Sequence, residues 1–205
     1  MSDAALAARA AAWLLRYPDE EVLAAVPLVC DAVADLPGPA GAGLRVVARH
    51  RRRTDPPALQ REYVDVFDPR RRCCLYLSYY TAGDSRARGV ALLEFTAAYR
   101  ESGVELSRGE LPDFLPAVLE LASVADAGWQ LLREHRVGLD LLAEALAAEG
   151  SVYREVVAAV RELPPPAGPA ERRAARTLAA QGPQAEMVGL EGFAPAPPAG
   201  IGSPR

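Results

Sequence analysis

AGWQLLREHRVGLDLLAEALAAEG, residues 127–150, decides the fold class. Leu132, Leu139, Leu142 and Leu146 recur at spacings of three, four and seven, which places them on one face of a helix. The segment is rich in alanine, leucine and glutamate, all strong helix formers. It reads as one helix over about 127–149, with Gly150 as its stop signal.

The same periodicity extends in both directions. C-terminally, Ser151 is placed to cap a helix in which Val152, Val156, Val160 and Leu163 align. The run PPPAGP at 164–169 reads as a linker, a short charged helix is expected near 170–181, and the chain from Gly182 onward is biased to proline, glycine and alanine. N-terminally, Pro112 and Asp113 open a helix with Leu115, Val118, Leu119 and Ala122 as its apolar stripe. Residues 86–102 form another, with Leu92, Phe95 and Tyr99, and Gly103 ends it.

At the start of the chain, Ser2 or Asp3 caps a helix to about Arg16, with Leu6, Ala10, Trp13 and Tyr17 near one face. Asp19 caps a second, reaching about Leu36, which Pro27 should kink or split. GPAGAG at 38–43 reads as a loop before a third helix that runs into Arg49-His50-Arg51-Arg52-Arg53. Pro56 and Pro57 open a fourth, carrying Leu59, Tyr63, Val64 and Phe67. No sheet and no repeat emerges. The expectation is an all-α, single-domain bundle of about eight helices over 1–165, with a linker, possible short helix and disordered tail over 166–205.

Composition removes several chemistries. All 23 basic residues are arginine, so a phosphate-loop lysine and a Schiff-base lysine are absent. The net charge of −4 argues against a general nucleic-acid binder, and Arg49 with Arg51–Arg53 reads as a solvated helix face. Cys30, Cys73 and Cys74 are odd in number and show no CxxC spacing, which disfavours a disulfide framework and favours a reducing compartment. Arg9 and Arg16 interrupt the N-terminal apolar residues, so neither a signal peptide nor a membrane span is expected, and the protein should stay in the cytoplasm. His50 and His135 lie in no metal motif; His135 reads as a packed or surface residue, and the arginines around His50 disfavour its protonation. Positive charge beside Cys73 and Cys74 would favour a thiolate, but inward packing is the simpler reading. With no triad, metal cluster or phosphate loop, no enzyme is expected.

One segment fits no amphipathic element. Tyr63-Val-Asp65-Val-Phe67-Asp68 is followed by Leu75-Tyr76-Leu77-Ser78-Tyr79-Tyr80-Thr-Ala-Gly83-Asp84, and five of the seven tyrosines lie between 63 and 99. Tyrosine joins an apolar body to a polar handle and is favoured at recognition surfaces. Asp113, read from the residues alone, is a helix-capping carboxylate in the string Glu110-Leu-Pro112-Asp113.

These residues resemble the NarJ family of nitrate reductase assembly chaperones. The likeness runs from Leu14-Leu-Arg-Tyr-Pro-Asp-Glu20 through Tyr63–Asp68, Arg71-Arg72-Cys73, Leu75–Tyr80, Gly83-Asp84-Ser85-Arg86 and Arg88-Gly89 to Glu110-Leu-Pro-Asp-Phe-Leu-Pro116, and spans roughly 10–160. The resemblance implies an all-helical chaperone with no catalytic residue, no metal site and no cofactor of its own. Its implied partner is the N-terminal segment of the catalytic subunit of a respiratory nitrate reductase, held while the molybdenum cofactor is inserted. The alternative is service to another molybdenum oxidoreductase of the sulfoxide or amine-oxide reductase type. In the wider group the ExPD string often ends in histidine; Phe114 stands there, so no role of that histidine carries over.

Combining both readings, the partner-peptide groove is expected to use Tyr63, Phe67, Asp68, Leu75, Tyr76, Tyr79, Tyr80, Asp84, Arg86, Arg88, Glu110, Pro112 and Asp113. The aromatics would take an amphipathic segment's apolar face, Arg86 and Arg88 its carboxylates, and Asp65, Asp68 and Asp84 its basic groups. No nucleic acid and no stable membrane insertion are expected, and a monomer is the default state.

Overall fold

The computed structural model describes residues 1–69, 71–82, 86–107 and 109–164, with backbone alone at Arg71, Arg86 and Ala87. They fall within one compact unit, Met1–Pro165. The expectations for 166–205 lie outside the described residues. Among the latter there are ten α-helices and no strand: α1 (Asp3–Leu15), α2 (Glu20–Ala34), α3 (Gly38–Arg53), α4 (Pro56–Phe67), α5 (Tyr79–Ala82), α6 (Arg86–Glu101), α7 (Leu115–Ala122), α8 (Asp126–Glu134), α9 (Arg136–Ala148) and α10 (Arg154–Glu162). A 3₁₀ turn at Arg71–Cys73 precedes α5. The all-helical class agrees with the pattern of the sequence.

Helix α1 sits at the centre, packed on α7, α2, α3 and α10. Its alanines explain how so many neighbours reach it. Ala7, Ala8, Ala10, Ala11 and Ala12 are buried beside Leu14 and Leu15, and a methyl side chain lets a neighbouring helix approach closely. The face expected from Leu6, Ala10, Trp13 and Tyr17 is therefore not the deepest one, and Tyr17 stays 42% exposed. Ser2 and Asp19 cap α1 and α2 as the sequence indicates, accepting from the amides of Ala5 and Val22. Val29, Val33, Leu44, Val47, Val156 and Val160 close the core where α3 packs on α2 and α10.

Three local readings are corrected. Pro27 does not split α2, which runs unbroken from Glu20 to Ala34; Pro27 faces solvent, where water can satisfy the carbonyl one turn back. GPAGAG is not a loop but the first turns of α3. Its glycines are explained by contact: a Cβ on Gly41 would lie 2.1 Å from the Leu36 carbonyl oxygen, and one on Gly43 2.8 Å from that of Glu155. The 127–149 helix is two, α8 and α9, interrupted at buried His135. The halves answer to different neighbours: α8 packs on α7 and α6, α9 on α10 and α5.

Candidate functional site

The segment that resisted a helical reading is tied down by backbone and by one carboxylate. Residues 75–78 run antiparallel to 113–115: Leu77 N–H donates to the Asp113 carbonyl at 2.9 Å, Leu115 N–H to that of Leu75 at 2.8 Å, and Tyr76 and Phe114 form an isolated bridge. Asp113, fully buried, accepts through Oδ2 from the Ser78 hydroxyl at 2.5 Å and the Ser78 amide at 3.3 Å. Arg88 donates from Nε to Ser78 Oγ at 3.2 Å and brings Nη2 to 3.6 Å from Asp113 Oδ2. The expected capping role of Asp113 is thus corrected. Phe114 holds the N-cap position of α7, and the carboxylate turns to Ser78 instead.

The aromatic residues separate into two groups. Tyr63, Phe67 and Tyr153 pack ring on ring inside the molecule, with centroids 4.6–5.9 Å apart. Tyr63 is 7% exposed and donates its hydroxyl to the Leu15 carbonyl; burial holds its phenol far above the usual range. Leu75 is buried as well. These side chains close the core, with Phe67 half-buried at its edge.

Tyr76, Tyr79 and Tyr80 are half-buried and reach the surface. Tyr76 lies between Phe114 and the Arg88 guanidinium, each 5.5 Å from its ring. The Tyr80 hydroxyl donates toward the carbonyls of Arg72 and Cys74, and its ring meets Tyr79 edge-on at 5.9 Å. Beside them opens a cleft of about 650 Å³ between α5 and α9, lined by Tyr79, Tyr80, Leu141, Arg72 and Glu144, among others. Gly138 permits this arrangement, because a Cβ there would stand 3.1 Å from Tyr80 Cβ.

The remaining expected residues are dispersed. Asp65 and Asp68 are exposed around the end of α4. Glu110 binds Arg16 at 2.7 Å, an arginine that also lies 3.7 Å from Glu120, and Pro112 is half-buried. Asp84 and the Arg86 side chain lie outside the described residues. Sequence reading missed Ser78, Gly138, Leu141 and Glu144; a glycine inside a helical run was the available signal for Gly138.

Other reactive candidates are committed elsewhere. Cys73 is fully buried, and burial pushes the Cys74 thiol up despite nearby Arg88, so thiolate formation is disfavoured. His50 does not answer to its arginine neighbours alone: its Nε2 lies 2.7 Å from Glu62. His135 stacks on Phe95, and burial lowers its pKa. In the basic run, Arg51 is buried and donates to the Arg16 carbonyl at 2.6 Å, whereas Arg49, Arg52 and Arg53 are exposed. Among the described residues, no group of three His, Cys, Asp or Glu is placed to hold a metal, and no helix is long and apolar enough to cross a membrane.

Comparison with known proteins places this geometry in context. The nitrate reductase delta subunit family matches residues 33–159. The nitrate reductase-like protein NarX of Mycobacterium tuberculosis is 43% identical over 152 residues, 73% of this chain and 23% of that one, so the chain spans about a quarter of that relative. The probable nitrate reductase molybdenum cofactor assembly chaperone NarJ of Bacillus subtilis is 33% identical over 70% of this chain and 80% of its own length. The crystal structure of a putative redox enzyme maturation protein from Archaeoglobus fulgidus superposes with a TM-score of 0.59 at 24% identity, covering 77% of this chain and 91% of that one, a likeness of fold.

Proposed function

Because the chain belongs to the nitrate reductase delta subunit family, we propose that it is a dedicated chaperone, not an enzyme, which binds the immature catalytic subunit of a respiratory nitrate reductase during assembly in the cytoplasm. The Bacillus subtilis relative, matched over 80% of its own length, is named as a probable chaperone of nitrate reductase molybdenum cofactor assembly, which supports this reading. The structural observation that carries it is the open cleft where Tyr79 and Tyr80 face α9. An apolar helical face fits such a groove, with the phenol rings supplying contact area at little entropic cost. The ligand is the N-terminal segment of that subunit. Glu144 and Arg72 at the cleft supply charges of both signs for polar positions flanking its apolar face.

The groove assigned here is narrower than the sequence indicated. Tyr79 and Tyr80 remain in it, Tyr76 is not part of its lining, and Arg88 and Asp113 hold the turn at Ser78 that leads into it. Tyr63 and Leu75 act through the core. The chaperone carries no cofactor of its own. It favours the immature subunit by mass action and releases it when maturation withdraws the segment.

Calorimetric titration with a synthetic peptide of the catalytic subunit's N-terminus, from the same organism, tests this. Saturable binding by the monomeric full chain is expected, with no binding to a scrambled peptide. Equal heats from both peptides would overturn the reading. Tighter binding of a sulfoxide or amine-oxide reductase leader would move the chaperone to that enzyme class.

A further inference from the structure

We propose that Asp113 is a positioning residue for the cleft: its buried carboxylate pins the turn at Ser78 and so holds α5 against α9 in the shape a ligand meets. This rests on the functional reading above for its ligand, but not for its mechanics.

Helix α5 is one turn long and none of its residues is buried. Its contact with the core is the half-buried Tyr80, which also lies beside Gly138 of α9, and an isolated turn does not hold itself together. Its wall residue Tyr80 donates to the carbonyls of Arg72 and Cys74, which tie α5 only to the segment that leads into it. That segment is fixed by buried Leu75 and Leu77 and by two backbone bonds to 113–115, while the turn that starts α5 needs a connection of its own.

Ser78 provides that connection. Its carbonyl accepts from the Ala82 amide at 2.9 Å and thereby starts α5. The residue is fully buried, and its remaining polar groups are spent on Asp113 and Arg88. Asp113 directly precedes Phe114, the N-cap residue of α7, a helix whose Leu115–Leu119 run is buried and which packs on α1 and α8. One carboxylate thus joins a one-turn helix with no buried residue to a helix that is almost wholly buried. Arg88, at the start of α6, neutralises it from the other side. No one of these contacts assigns a role by itself. Their convergence on the residue that initiates the cleft wall is what assigns the role.

The full chain, with Asp113→Asn and Ser78→Ala, tests the assignment by hydrogen exchange and by titration with the N-terminal peptide. In both variants, amides of residues 77–82 should exchange faster while those of α1, α3 and α10 keep their protection. Peptide affinity should fall about tenfold in Asp113→Asn and less in Ser78→Ala, which keeps the backbone bond. Wild-type protection at 77–82 in both variants would overturn the proposal, as would lost affinity with that protection intact. If Asp113→Asn loosens the whole molecule, Ser78→Ala decides: local loosening supports the role and wild-type exchange refutes it. A wild-type chain that binds no peptide would remove the functional reading alone, since the exchange comparison still judges the clamp.

Discussion

Two tyrosine clusters on different elements use the same side chain in opposite ways. Around Tyr63, Phe67 and Tyr153 the rings are sealed against one another, the Tyr63 hydroxyl is spent on the Leu15 carbonyl, and the Arg51 guanidinium lies 5.7 Å from the Tyr153 ring. Around Tyr79 and Tyr80 the rings keep one side open and a cleft lies beside them. The difference lies in what flanks each cluster. Helices α1, α3, α4 and α10 surround the first, whereas the second sits on a single turn of helix with no buried residue, where Tyr80 is only partly buried against the core. The first cluster sets stability and the second sets recognition, so each substitution should move one quantity more than the other.

The largest expected effect is on the sealed side. Tyr153→Ala removes a fully buried ring and should cost about 3–5 kcal/mol in denaturant unfolding followed by circular dichroism. Arg51→Met comes next. It removes the guanidinium that donates to the Arg16 and Trp13 carbonyls at the end of α1, for about 2 kcal/mol by the same measurement. If either substitution instead left stability unchanged and weakened peptide binding, the division between the clusters would be broken.

On the open side the order reverses. Tyr79→Ala with Tyr80→Ala should lower stability by only about 1 kcal/mol, because both rings already contact solvent. Peptide affinity should fall more than about tenfold in calorimetry, as for central aromatic contacts at interfaces. Unchanged affinity would remove both rings from the binding surface. Gly138→Ala sharpens the point without deleting anything. The new methyl would press on the Tyr80 side chain at 3.1–3.4 Å, while alanine favours the helix by up to about 1 kcal/mol. Stability should hold or rise slightly as affinity drops about threefold, a modest interface change. A gain in affinity would place the ligand away from α9.

Which parts could be read from sequence follows the same physics. Helices with contrasting faces, such as α10 with Val156 and Val160 inward, were legible because hydropathy alternates at the helical period. Helix α1 was legible as a helix but not in orientation, since alanine gives little contrast on any face. The start of α3 was hidden because Gly41 and Gly43 are there for close approach to Leu36 and Glu155, contacts distant from any local propensity. The break at His135 was hidden because both halves are good helix formers and only their neighbours differ. At the site, the tyrosine-rich segment announced itself by composition. That Tyr63 faces the core while Tyr79 faces a cleft depends on the path between 68 and 79, which no periodicity encodes. Asp113 looked like a capping residue because its partner Ser78 lies 35 positions away.

The smallest expected effect separates the regions by acidity. His135 is 8% exposed, rests on Phe95, and has its pKa lowered from the ordinary 6.5 chiefly by burial, with Glu134, Glu94 and Asp113 opposing. The folded chain therefore binds this proton less readily than the unfolded chain. Stability from this residue is complete above about pH 6.5 and declines as pH falls below it, until the folded pKa is reached. Glu120 works in the opposite sense: burial raises its pKa above 4.5 despite Arg16, so its contribution is fullest below that pH and is lost as pH rises through the folded value. Unfolding followed between pH 7 and 5 should thus show a slope that His135→Asn reduces. An unchanged slope would mean that His135 opens to water as readily as the residues of the cleft, and the sealed region would end short of α8.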